Sequence, residues 1–236
     1  MSPHLSDRRR RRIDRAIKQR LGGVTVLIEN PYDPHNVAAV LRSAEAMGLL
    51  HVHVVLADEW VGFSRRVTQN ADKWIQVYLH RCTADALAFL RRAGFVCLAA
   101  LPPEMERAPD RCAFAADRPL ALCFGNEHQG LSQAAIDRCQ GRFHLPIHGL
   151  SESYNLSVSA ALAIDQATQA WRRGRRQLGD LPKGVQQRLR AAYYVNSVRH
   201  ATDIVWRRLA ERAECSAGET PQSWNSASTH ARTELD

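Results

Sequence analysis

Between residues 24 and 173, short runs rich in β-branched and apolar residues alternate with helix-forming stretches, and this alternation constrains the fold more than any other feature of the chain. The run Val24–Glu29 (VTVLIE) is β-branched and continuous, as expected of a strand buried on both faces. A turn with two prolines follows from Asn30 to His35. A helix is then expected over Val37–Met47, with Val37, Val40, Leu41, Ala44 and Met47 at helical spacing and Gly48 as its stop. Further strands are expected at His51–Ala57, Trp74–Leu79, Phe95–Ala100, Leu120–Phe124 and Arg142–Leu145. Helices are expected over Thr83–Ala93 with Thr83 as cap, from Ser132 to Cys139, and over Leu156 to about Arg173. Residues 58–73 read as loop with some helix, and 101–118 as a polar connection. Strands and helices in strict alternation build a parallel sheet with helices on both faces.

The flanks differ from this core. Residues 1–23 start irregularly and continue as a basic helix broken at Gly22-Gly23. Residues 174–212 hold a short linker and a second basic helical segment, and 213–236 is a Ser/Thr-rich tail expected to be disordered. Net charge is +8 over 236 residues, and it is concentrated. Residues 8–20 carry seven Arg and one Lys against one Asp; residues 172–190 carry six Arg and one Lys against one Asp. Arg8, Arg9, Arg10, Arg11 and Arg12 are consecutive, and such a run repels itself unless a polyanion neutralises it. With Arg172, Arg173, Arg175 and Arg176 it makes nucleic acid the expected partner.

Several classes are disfavoured. No apolar run is long enough for a membrane span, and the basic start lacks a signal-peptide core, so a cytoplasmic protein is expected. The six cysteines contain no C-x-x-C pair, which argues against a zinc ribbon or thioredoxin-type site. His51 and His53 share a strand face, but no third metal ligand is evident, and no metal is expected. No G-x-G-x-x-G and no G-x-x-x-x-G-K is present, so neither an ordinary dinucleotide site nor a P-loop is indicated.

Polar residues gather instead at three strand-to-helix junctions, the places where open α/β sheets bind ligands. In the third, Ser153 and Asn155 are good capping residues for the helix that follows. The junctions read His35-Asn36 to Arg42, Gly125-Asn126-Glu127 to Gly130, and Ser153-Tyr154-Asn155-Leu156. The ordered patterns N-x-x-x-x-x-R, G-x-E-x-x-G and S-x-N-x-S-V resemble the SpoU/TrmH branch of the SPOUT RNA methyltransferases, over residues 24–171.

That resemblance implies S-adenosylmethionine as cofactor, a Rossmann-like sheet closed by a C-terminal trefoil knot, and a homodimer. It places the catalytic set at Arg42, Asn36, Glu127, Ser153 and Asn155. It places cofactor contacts at Ala100, Leu101, Gly125, Asn126, Gly130, Leu145, Ile147, Tyr154 and Leu156, and adds His35 to the arginines as an RNA contact. Short basic extensions on both sides look like those of the members that methylate the 2′-hydroxyl of guanosine 18 in the tRNA D-loop. Ribosomal RNA, another tRNA position, a small molecule, or RNA binding without catalysis remain alternatives. The chain departs from the family pattern at Tyr154, where Leu is usual, at Leu156, and at Ala100.

Overall fold

A computed structural model describes residues 5–56, 73–102, 114 and 117–198. Six parallel strands are described: β1 (Val24–Glu29), β2 (His51–Val55), β3 (Gln76–His80), β4 (Val96–Ala100), β5 (Leu120–Phe124) and β6 (Gly141–Phe143). They form one sheet in the order β3-β2-β1-β5-β4-β6. The chain starts in the middle, winds to one edge through β2 and β3, then crosses to the other half. β1 and β5 are buried along their whole length, which is why both read as continuous runs without polar–apolar alternation.

Six helices complete the described chain: α1 (Asp7–Lys18), α2 (Pro34–Met47), α3 (Thr83–Arg92), α4 (Gln133–Ile136), α5 (Leu156–Arg175) and α6 (Lys183–Asn196). On one face α2 and α5 bury Val37, Val40, Leu41, Ala44, Ala160, Ile164 and Trp171 against Val26, Ile28 and Leu122. On the other, α3 and α4 bury Leu87, Leu90, Ala135 and Ile136 against Leu27, Cys97 and Cys123. The doubly covered parallel sheet expected from the alternation is therefore present.

Some boundaries differ, each for a local reason. α2 begins at Pro34 rather than Val37, because the Asp33 carboxylate caps it by accepting from the His35 N–H at 2.8 Å. Proline at the first helical position costs nothing, since its missing N–H would have had no helical partner. α3 is capped by the Cys82 sulfur, not by Thr83. The Thr83 hydroxyl donates to the Glu29 carboxylate instead. Strands β2, β3, β4 and β6 are shorter than, or offset from, the expected runs. The expectations for 58–72, 103–113 and 199–236 lie outside the described residues.

The two basic flanks pack on each other. Ile13 and Ile17 of α1 form a small core with Tyr193 of α6, and Arg190 Nε donates to Asp14 Oδ1 at 2.7 Å. The linker between α5 and α6 is itself an anchor. Asp180 accepts from the Gly22 and Gly23 N–H groups at 2.6 and 2.9 Å and from Trp171 Nε1 at 2.8 Å. Gly23 admits no side chain, since a Cβ there would lie 1.9 Å from the Trp171 ring.

Candidate active site

The C-terminal ends of β4, β5 and β6 meet at a cavity of about 370 Å³. Its volume is within the range of small-molecule sites. Ala100, Leu101, Gly125, Asn126, Gly130, Leu145, Ile147, Tyr154 and Leu156 all line it, so the nine positions singled out in the sequence are brought together. Its floor is apolar, with Phe124, Leu131, Ile136 and Phe143. Its polar groups include Glu127, Glu152, His128, Gln133 and Ser153, and among the described residues no Arg or Lys lines it. The two carboxylates suit a ligand bearing positive charge, and the apolar floor suits an aromatic or apolar body.

The loop after β5 owes its shape to its two glycines. Asn126 and Gly130 exchange backbone hydrogen bonds at 3.2 and 3.1 Å, and Asn126 Oδ1 accepts from the His128 and Gln129 N–H groups at 3.0 and 2.7 Å. Gly130 sits at φ +66°, and a Cβ on Gly125 would come within 1.8 Å of the Gly130 backbone. The loop therefore closes on itself only with glycine at both ends.

Residues distant in sequence then converge through amides whose orientation is fixed step by step. Asn155 caps α5, its Oδ1 accepting from the Ser157 N–H at 2.8 Å. With the oxygen so used, its Nδ2 donates to Asn36 Oδ1 at 3.1 Å. That leaves Asn36 Nδ2 to donate to Glu127 Oε1 at 2.7 Å. The Glu127 carboxylate also accepts from the Tyr32 N–H at 2.9 Å and the Asp33 N–H at 3.4 Å. One carboxylate thus holds the start of α2 onto the β5 loop. Partial burial pushes the Glu127 carboxyl up, but the bonds from Asn36, Tyr32 and Asp33 outweigh it and hold it below the ordinary carboxylate range. A carboxylate so engaged is a poor proton acceptor.

The other predicted residues are placed as follows. Ser153 lines the cavity and does not cap α5; that role is taken by Asn155. Arg42 is exposed, two turns further along α2, and no hydrogen bond or ion pair among the described residues joins it to the asparagine–glutamate chain. Side chains on a helix slant toward its N-terminus, so Arg42 leans toward the end that carries Asn36. His35 is exposed at the same end. Arg8, Arg11 and Arg12 project from α1, while Arg9 lies over the Trp74 ring at 5.4 Å and Arg10 pairs with Asp7. Arg173, Arg175 and Arg176 are exposed at the end of α5, with Arg175 stacked on Trp171 at 3.9 Å. Arg172 is largely spent on the fold, since it donates to the Leu178 and Met47 carbonyls at 3.0 and 2.7 Å.

One site residue escaped the sequence reading. Glu29, at the end of β1, is 4% exposed. It accepts from the Ser132 N–H and hydroxyl, both at 2.8 Å, and from Thr83. It anchors the far end of the β5 loop. In the sequence it looks like the polar residue that ends a strand; only the approach of Ser132 reveals it.

The expected histidine pair on β2 gains a third ring. His53 Nδ1 lies 2.9 Å from His80 Nε2, and His51 packs edge-on against His53. Among the described residues no group of three His, Cys, Asp or Glu side chains is placed to hold a metal ion.

Residues 23–165 match the SpoU rRNA Methylase family. The tRNA (guanosine(18)-2′-O)-methyltransferase of Thermus thermophilus is 32% identical over 162 residues, which cover 69% of this chain and 82% of that protein. Among solved structures, the A. aeolicus TrmH/SpoU tRNA modifying enzyme superposes with a TM-score of 0.70 at 22% identity, covering 82% of this chain and 98% of that one. The SpoU methyltransferase AviRb from Streptomyces viridochromogenes, in complex with the cofactor AdoMet, superposes at 0.53 with 23% identity over 65% of this chain and 58% of that one. At these identities the two structures speak for the fold.

Proposed function

The chain belongs to the SpoU rRNA methylase family, and on that premise we propose that it transfers a methyl group from S-adenosylmethionine to a ribose 2′-hydroxyl of tRNA. Guanosine 18 in the D-loop is the nucleotide we assign, by analogy with the relative from T. thermophilus. The observation that carries the reading is the chain Asn155–Asn36–Glu127 beside a cavity that no Arg or Lys among the described residues lines.

When bound, the cofactor supplies an activated methyl group on a sulfonium. Ala100, Leu101, Leu145, Ile147 and Leu156 offer apolar contacts for its body, and the loop of Gly125, Asn126 and Gly130 offers backbone groups. The carboxylates of Glu127 and Glu152 favour its positive charge. The ribose is placed by Asn36 and Asn155, with Ser153 beside them. Arg42 acts on the substrate side. A guanidinium is too basic to accept a proton, so its role is to hold the ribose-phosphate and stabilise the alkoxide as the 2′-hydroxyl loses its proton. The RNA phosphate is the acceptor we assign, because Glu127 is held ionised by donors it would have to release.

The flanks fit the same reading. We assign residues 24–173 to the transferase domain, with its C-terminal part threaded as a trefoil knot. The paired basic helices α1 and α6 and the arginines ending α5 form the tRNA-binding surface. Leu150, Tyr154, Val158 and Leu162 leave an exposed apolar stripe running from the last loop onto α5. A second copy covering that stripe, in the cytoplasm where tRNA is modified, completes the assembly.

Replacing Arg42 with Ala tests the catalytic assignment. It should abolish methyl transfer to tRNA while leaving S-adenosylmethionine binding, measured by calorimetry, within about twofold. Retained transfer would remove Arg42 from the mechanism.

A further inference from the structure

Tyr32 is an aromatic side chain 70% exposed, at the junction between β1 and α2. A single exposed aromatic is ordinary on a protein surface. This one differs in what holds it and what lies beside it. Its backbone N–H donates to Glu127 Oε2, and the other oxygen of that carboxylate takes Asn36 Nδ2. The Tyr32 backbone and the Asn36 side chain are therefore held by one group. Pro31 on one side and the Asp33-Pro34 start of α2 on the other restrict the backbone that carries it.

The ring meets His128 edge-to-face, with centroids 4.8 Å apart and planes at 74°. His128 lines the cavity. The two rings make a corner at its mouth, one face open to solvent and one imidazole edge beside it. Among the described residues the other exposed Tyr and Phe side chains are committed elsewhere: the Tyr154 hydroxyl donates to the Pro146 carbonyl, and Phe89 packs on His53 and Tyr78.

We propose that Tyr32 and His128 form a platform for the nucleobase of the residue being modified, the base stacking on the Tyr32 face with its edge toward His128. Proteins that act on unpaired RNA recognise splayed bases in this way, on aromatic faces with a hydrogen-bonding group at the base edge. A base seated there has its position set by the carboxylate that also sets the asparagines, so base and ribose are registered together. The inference rests on the RNA-methylation reading above, and it adds a residue acting on substrate rather than on cofactor.

Tyr32→Leu and Tyr32→Phe provide the test, in the full-length protein. Both leave the backbone N–H in place, and unchanged melting temperature and S-adenosylmethionine affinity would establish an intact fold. Tyr32→Leu should raise the KM for tRNA by about fivefold or more, and Tyr32→Phe should restore it. A short single-stranded RNA carrying 2-aminopurine should be quenched on binding the natural protein and Tyr32→Phe, and not Tyr32→Leu. Equal KM values, or equal quenching by all three, would overturn the platform. If the natural protein methylates no RNA, the functional reading fails, while the quenching experiment still decides whether the corner takes a base.

Discussion

At the scale of single residues, the site is an arrangement of donors and acceptors with few free choices. The cap bond of Asn155 orients its amide, that amide orients Asn36, and Asn36 with two backbone N–H groups engages both oxygens of Glu127. Glu127→Gln breaks the sequence of constraints without changing shape. Glutamine has one acceptor oxygen where two are needed, so an N–H group or Asn36 loses its partner, at about 1–3 kcal/mol. We expect kcat for methyl transfer to fall about tenfold or more with a small change in melting temperature, and steady-state kinetics with a differential-scanning melt would check both. The residue types were legible because Asn36, Glu127, Ser153 and Asn155 sit at strand-to-helix junctions. Their bonding was not, since its partners are 91 and 119 positions apart. Arg20 and Glu29 show the limit most plainly. Arg20 belongs to the basic run, yet it is 2% exposed and bonded to Glu45 at 2.6 Å and to the Leu49 carbonyl at 2.8 Å. A charge count cannot separate an interior arginine from one offered to a partner.

At the scale of elements, β1 and β5 match the expected bounds residue for residue, because strands buried on both faces read as continuous runs set off by turn residues. Edge strand β3 does not, because none of its residues is fully buried and its boundary can slide. The packing of β2, β3 and α3 has a consequence for pH. Burial lowers the His53 pKa to about 3, helped by His51 and His80, and lowers that of His51 to about 4 against a small opposing pull from Asp180. The His80 pKa is also lowered by burial. In the unfolded chain these imidazoles titrate near pH ~6.5. Between about 6.5 and the folded values the unfolded state binds more protons, so stability is full above that window and falls as pH drops through it. Melting temperatures should decline from pH 6.5 toward pH 4, and His51→Phe should flatten the slope. An unchanged slope would mean these rings do not carry the acid sensitivity.

At the scale of the whole molecule, the two arginine-rich flanks are one unit. The sequence shows them at opposite ends; the core of Ile13, Ile17 and Tyr193 joins them. Removing α1 would therefore damage the fold as well as the charge. Replacing the exposed Arg8, Arg11 and Arg12 with Gln spares that core. The triple variant should bind tRNA more weakly, and its plot of log affinity against log salt should be shallower by up to about three units, one per lost phosphate contact. An unchanged slope would remove α1 from the tRNA surface. The sheet and its two helical layers followed from alternation alone, whereas the cavity depends on how the end of β4 and the loops after β5 and β6 come together, which no local pattern encodes. The most direct test of the account is mass-spectrometric mapping of unmodified tRNA after incubation with the purified protein and S-adenosylmethionine. A single ribose 2′-O-methyl group at guanosine 18 is the predicted product; a methyl group on a base, or no methylated nucleotide at all, would contradict it.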